Sequence, residues 1–287
     1  MHRRMLLRLP ALAAGGTVLA GCGVLDTPGA EGPVREPDGP GEGRTTYGAD
    51  PSQFGDLYLP EGGAEGARGV VVVIHGGFWQ STYGLDLGEP LATSLTAAGW
   101  VAWNLEYRRV GNGGGTPETF DDVAAGIDTL RDLGLPDSVL ERVVTLGHSA
   151  GGHLAAWAAG RLRDDRWAGG VPVTHVVSQA GVLDLVLASR QNLGGGAVAS
   201  LLGHPAELGD DAAWDPAQQV PLDVPVWAVH GVDDPIVPLS QSESYVEQAR
   251  AAGATAEVVE VPGDHFVNLD TGSEAWARTL EVLDSIG

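Results

Sequence analysis

Val143-Val144-Thr145-Leu146-Gly147-His148-Ser149-Ala150-Gly151-Gly152 reads as a short buried strand that turns abruptly into a helix. The β-branched run from Arg142 to Leu146 predicts the strand, and Leu154, Trp157, Ala158 and Leu162 recur at helical spacing after the turn. Glycine at positions 147 and 151 has a steric reason. A serine at the apex of so tight a turn is strained, and side chains two residues to either side would collide with neighbouring elements. Such a turn lifts the Ser149 hydroxyl above the sheet and aims the first amides of the helix at whatever it attacks. Gly-x-Ser-x-Gly alone occurs often by chance. Between a buried strand and an apolar helix it marks Ser149 as a candidate nucleophile.

Outward from this turn, strands alternate with helices. Asp56 to Pro60 predicts an early strand, and Gly69 to Ile74 is a continuous β-branched run of the kind covered on both faces. Trp100 to Leu105, His175 to Val177, Val224 to Val229 and Thr255 to Val261 predict further strands. After the Gly111–Gly115 loop, Thr116-Pro117-Glu118 supplies an N-cap, a proline at the first helical position and an acid in the first turn. The helix that follows carries Phe120, Val123, Ala124, Ile127 and Leu130 on one face. Helices also follow Ser240 and Ser273, each with a glutamate in its first turn. The pattern predicts one α/β domain over 45–287, with a mostly parallel sheet and its functional groups at the strands' C-terminal ends.

The N-terminus reads differently. Arg3, Arg4 and Arg8 precede an apolar run, Leu9 to Ala20, that is too short to span a bilayer. Leu19-Ala20-Gly21-Cys22 then resembles the lipobox of bacterial lipoproteins, and Cys22 is the chain's single cysteine. Residues 1–21 are therefore read as a signal peptide and Cys22 as a lipid attachment point. The alternative is an ordinary cleaved signal with an incidental cysteine. Arg3-Arg4 also fits a twin-arginine export signal. Residues 22–44, rich in Gly, Pro, Glu and Asp, predict a flexible tether to the outer face of the cell membrane. The chain carries 38 acidic against 16 basic side chains, for a net charge of −22. So negative a surface repels phosphate backbones and argues against a nucleic-acid partner.

Three further stretches carry chemistry. His75-Gly76-Gly77-Phe78-Trp79 follows the Gly69–Ile74 strand, and its free amides, with that of Ala150, predict donors for an oxyanion: Gly76, Gly77, Phe78 and Ala150. His230-Gly231-Val232-Asp233-Asp234-Pro235 follows the Val224–Val229 strand and offers an acid to orient an imidazole. Asp234 is favoured over Asp233, with Asp184 as a reserve. Gly263-Asp264-His265-Phe266 follows the Thr255–Val261 strand, and of eight histidines only His265 occupies the base position in the order Ser, Asp, His.

These motifs resemble the α/β-hydrolases of the esterase and lipase group. His75 to Trp79, Gly147 to Leu154, Tyr47-Gly48, Asp56 to Pro60 and Glu106-Tyr107-Arg108-Arg109 are similar to the kynurenine formamidase and feruloyl-esterase-like branch. The resemblance implies Ser149 as nucleophile, Asp234 as orienting acid and His265 as base. It also implies a covalent acyl-enzyme and no metal or organic cofactor. In this fold the interval 182–222 commonly carries a small lid. Its leucines and Trp214, with Phe78 and Trp79, are expected either to line an acyl or aryl pocket or to pack the lid on the body. The expected activity is hydrolysis of small carboxylic esters. The alternatives are an arylformamidase, an exported peptidase, or an idle hydrolase fold serving as a binding module.

Overall fold

The structure, a computed structural model, describes residues 43–286. The leader, Cys22 and most of the tether lie outside the described residues. Eight strands, β1 (Gly43–Thr46), β2 (Phe54–Tyr58), β3 (Val70–Ile74), β4 (Val101–Leu105), β5 (Val143–His148), β6 (His175–Gln179), β7 (Val226–Gly231) and β8 (Ala256–Val261), form one sheet in the order β1-β2-β4-β3-β5-β6-β7-β8. The pairs β1–β2 and β2–β4 are antiparallel and the other five are parallel. The helices are α1 (Glu89–Ala97), α2 (Glu118–Asp128), α3 (Asp137–Leu140), α4 (Ala150–Gly160), α5 (Leu185–Arg190), α6 (Ala197–Leu202), α7 (Ser240–Ala251) and α8 (Glu274–Ile286). This is the α/β-hydrolase fold that the sequence predicts. Among the described residues no helix is long and apolar enough to cross a membrane.

Strand β3 shows why a continuous apolar run suits the centre of the sheet. Successive side chains point to opposite faces. Val70, Val72 and Ile74 enter one apolar layer with Phe120 of α2 and Leu154 of α4, while Val71 and Val73 enter another with Leu91 of α1 and Leu283 of α8. Each such fully buried side chain contributes about 1.5–3 kcal/mol.

Two local expectations are corrected. Strand β1 includes Gly43 and Arg44, which the sequence assigns to the tether; Arg44 is held to Asp56 of β2 by a two-point ion pair at 2.9 and 3.0 Å. Thr116 does not cap α2. Its hydroxyl donates to the Leu201 carbonyl at 3.2 Å, and the helix starts after Pro117 without a side-chain cap. The tertiary contact takes the hydroxyl that local pattern reserves for the helix.

Between β6 and β7 the chain makes an insertion containing α5 and α6. Leu183, Leu185 and Leu201 are almost fully buried in the main apolar layer, so these leucines pack the insertion onto the body. One buried carboxylate, Asp215, accepts hydrogen bonds from the N–H groups of Leu185 (3.1 Å) and Ala217 (3.2 Å). It thereby joins the two ends of the insertion.

Candidate active site

Strand β5 delivers Ser149 in a left-handed backbone conformation (φ 57°, ψ −119°), which few non-glycine residues adopt without local compulsion. The compulsion is visible. The Ser149 N–H donates to the Gln179 carbonyl of β6 at 2.8 Å, and its carbonyl accepts from the His153 N–H of α4 at 3.2 Å. A Cβ on Gly151 would stand 2.0 Å from the Ile74 carbonyl, so glycine is required where α4 crosses the end of β3.

Parallel register pairs Ile74 with Gly147, which sets the turn after β3 beside the turn after β5. Gly76 touches the elbow. A Cβ there would lie 2.6 Å from the His148 carbonyl and 3.1 Å from the Ser149 Cβ. The chain then passes through positive φ at Gly77, Phe78 and Trp79. Among the described residues, no backbone carbonyl accepts from the N–H of Gly76, Gly77, Phe78 or Ala150. Free donors at the start of a helix and on an adjacent tight turn are what a developing oxyanion needs.

Behind this turn lies a buried polar network. His75 stacks on Tyr107 at 4.4 Å, and its Nε2 lies 3.1 Å from a Glu106 carboxylate oxygen. The Arg109 guanidinium sits 2.7 Å from the same oxygen and also donates to the Tyr83 carbonyl. Burial works to raise the pKa of Glu106, but the neighbouring His75 and Arg109 outweigh it and hold the carboxyl below its usual range. The Tyr107 hydroxyl donates to the His75 carbonyl at 2.7 Å. The Glu106 to Arg109 segment thus braces the turn after β3 from inside.

Asp234 and His265 stand on loops beyond β7 and β8, and His265 Nδ1 donates to Asp234 Oδ2 at 2.6 Å. The other carboxylate oxygen accepts from the backbone N–H groups of Ile236 (2.8 Å) and Val237 (2.9 Å). His230, fully buried, brings a second imidazole to within 3.4 Å of Oδ2. Burial works to raise the Asp234 pKa, but hydrogen bonds from His230, His265 and Val237 overcome it, and the carboxyl stays ionised well below the usual range. With Nδ1 donating, the lone pair of His265 is on Nε2. The His265 imidazole lies 4.5 Å from that of His148, the residue before Ser149.

The remaining predicted residues fall into two groups. Asp233 is exposed, and Asp184 accepts from the Leu187 N–H at 2.7 Å as the N-cap of α5. Trp79 is only 1% exposed and donates its indole N–H to His153 Nδ1 at 3.2 Å, so it supports the Gly76–Phe78 turn from the core instead of facing a pocket. Trp214 packs on Phe120 at 4.8 Å and Trp167 at 5.7 Å, within the aromatic layer. Phe78 is half-buried, with its ring against Gly194 of the insertion. Two exposed aromatics escape sequence reasoning: Tyr83, which lies against Gly77, and Phe266, whose ring meets that of His265 edge to face. Only their exposure distinguishes them, and sequence alone does not carry that signal.

Known proteins are similar to this chain in sequence and in fold. Esterases LipC and LipQ of Mycobacterium tuberculosis are each 28% identical, over 236 and 271 residues, covering 77% and 85% of this chain. The chain spans about three fifths of their length (58% and 61%). Thermogutta terrifontis esterase 2, in a form phosphoramylated by tabun, superposes with a TM-score of 0.67 at 25% identity, covering 87% of this chain and 95% of that one. The bifunctional GH43-CE of Bacteroides eggerthii shares the fold at a TM-score of 0.70 and 23% identity, over 84% of this chain and 35% of that one. The BD-FAE family model matches residues 55–248, from β2 through the elbow and the Asp234 loop into α7, and the chain belongs to that family.

Proposed function

We propose that this protein is a serine hydrolase that cleaves carboxylic esters of small acyl or aryl groups. The observation that carries the reading is the 2.6 Å Asp234–His265 pair, held beside the residue that precedes a strained Ser149. In the proposed cycle His265 Nε2 takes the Ser149 proton as Oγ attacks the carbonyl, and the imidazolium is stabilised by the ionised Asp234. The oxyanion forms against the N–H groups of Ala150 and the Gly76–Phe78 turn, and each such donor lowers the barrier by about 2.7–4 kcal/mol. The imidazolium returns its proton to the leaving alkoxide. Water, deprotonated by the same imidazole, then attacks the acyl-Ser149 ester, and the imidazolium returns that proton to Ser149 Oγ as the acyl–oxygen bond breaks and the acid leaves. No cofactor takes part in these steps.

A fluorophosphonate probe tests the reading: labelling of wild type and loss of labelling in Ser149→Ala are expected, and no labelling of the wild type favours a binding module. Nitrophenyl esters of increasing chain length, assayed beside N-formyl-kynurenine, separate an esterase from a formamidase. We also propose that the protein is exported and held at the outer face of the cell membrane through lipid on Cys22, as the leader sequence suggests.

A further inference from the structure

We propose that His148, the residue before the nucleophile, is a positioning residue that holds the His265 loop in register with Ser149 through a hydrogen bond from its ring to the His265 carbonyl. The proposal rests on the assignment of Ser149 and His265 given above. His148 Nε2 lies 2.8 Å from the His265 carbonyl oxygen, which can only accept, so Nε2 carries the proton. The two imidazoles face each other at 4.5 Å with a 51° tilt. Meanwhile the His148 carbonyl is the atom that a Cβ on Gly76 would strike. One residue therefore touches the oxyanion turn with its backbone and the base loop with its side chain, 117 positions along the chain.

The loop is tied on either side of residue 265: the Phe266 N–H donates to Asp264 at 2.9 Å, and the Leu269 N–H donates to the Phe266 carbonyl at 3.0 Å. Asp264 and Phe266, on either side of His265, are exposed. The Gly263 carbonyl accepts from the Asp233 N–H at 3.0 Å, and the His265 carbonyl accepts from His148. Asp234 fixes one ring nitrogen of His265, and the bond from His148 fixes the carbonyl at residue 265 itself; a shift of that carbonyl would swing Nε2 away from Ser149. A misplacement of about 1 Å at a reacting group costs on the order of 10²-fold in rate. His148 prevents that shift without adding charge. Burial, with the neighbouring His265, holds its pKa down at about 3, so it stays neutral while the adjacent ring becomes an imidazolium. The charged or titratable groups that bear on it are His265, Asp234 and His230.

Three variants of the full chain test the proposal on a nitrophenyl ester, each normalised to its fluorophosphonate-titrated sites. His148→Gln can place an amide N–H where Nε2 stands, His148→Asn is too short to reach, and His148→Leu removes the donor. His148→Asn and His148→Leu are expected to lower kcat by about 10–100-fold with KM changed by less than about 3-fold. His148→Gln is expected to recover most of the loss, a pattern that a merely structural role would not produce. Equal kcat in His148→Asn and His148→Gln, or wild-type kcat in His148→Leu, overturns the proposal. His265→Ala, run alongside, separates the two layers. If it turns over normally, the base assignment fails and the proposal with it. If it is inactive while His148→Asn and His148→Gln match, only the proposal falls.

Discussion

Asp234→Asn is the substitution whose outcome the structure constrains most tightly. All four close partners of the carboxylate are donors: the N–H groups of Ile236 and Val237 on Oδ1, and His265 and His230 on Oδ2. An asparagine has one acceptor oxygen and must turn its NH2 toward one pair. Facing the backbone, it would orphan two buried N–H groups at about 1–3 kcal/mol each. Facing the histidines costs less to folding, because His265 can move its proton to Nε2 and accept on Nδ1. His230 keeps its better acceptor, the Val237 carbonyl at 2.9 Å. In the proposed cycle the cheaper arrangement is the wrong one, since a protonated Nε2 cannot receive the Ser149 proton. The expected result is a protein destabilised by only about 1 kcal/mol whose kcat falls about 10⁴-fold, or about 5.5 kcal/mol of barrier, as tautomer inversion does in this kind of triad. Steady-state nitrophenyl ester hydrolysis and urea unfolding read the two quantities separately, with Asp233→Asn as the exposed control. Turnover within ten-fold of wild type in Asp234→Asn, or a larger loss in Asp233→Asn, would refute the reasoning.

Other expectations follow from single contacts. Gly76→Ala places a methyl against the His148 carbonyl, is expected to push the proposed oxyanion turn off the elbow and to lower kcat by about 10²–10³-fold with KM nearly unchanged; unaltered kcat would remove this turn from the proposed oxyanion site. Burial raises the Asp215 pKa from 3.8 to about 6 against its hydrogen bonds from Gln218, Leu185 and Ala217. The native state therefore binds a proton between those values that the unfolded chain does not, and this group's stabilisation is present at low pH and lost as pH rises through about 6. Relative to Asp215→Asn, the wild type should gain about 1 kcal/mol between pH 7 and pH 5 in urea unfolding, and a constant difference would contradict the assignment. Cys22→Ala should abolish fatty-acid labelling and release the protein from membranes; unchanged retention would count against the anchor.

How far the sequence announces the molecule depends on the range of the interaction. The β-branched runs of β3 and β5 and the glycines at 76, 147 and 151 are legible because their causes are local: burial on both faces, and no room for a side chain. The parallel direction of β3, β5, β6, β7 and β8 follows from the alternation of strand and helix. Strand β1 is short and carries polar residues, so no pattern marks it. Thr116 looks like a cap until Leu201 claims its hydroxyl. The buried links from Glu106 to His75, from His230 to Asp234 and from His148 to His265 join positions whose proximity exists only once the sheet is assembled. Trp79 is the instructive case. Its place next to the glycine turn suggests a substrate contact, but backbone φ at 78 and 79 rotates the indole into the core.

The two ends of the β6–β7 insertion converge on the carboxylate of Asp215, with His153 and Trp157 of α4 donating to the carbonyls of Trp214 and Ala213 just beside it. Everything between shares this one base, and it rests on the body at Leu201, whose carbonyl accepts from Thr116, and at Gly194, which lies against Phe78. Exchanging 186–212 for the corresponding segment of a related hydrolase, while retaining the base at 213–217 and the contacts at 194 and 201, makes a chimera that should keep the proposed machinery and change the company it accepts.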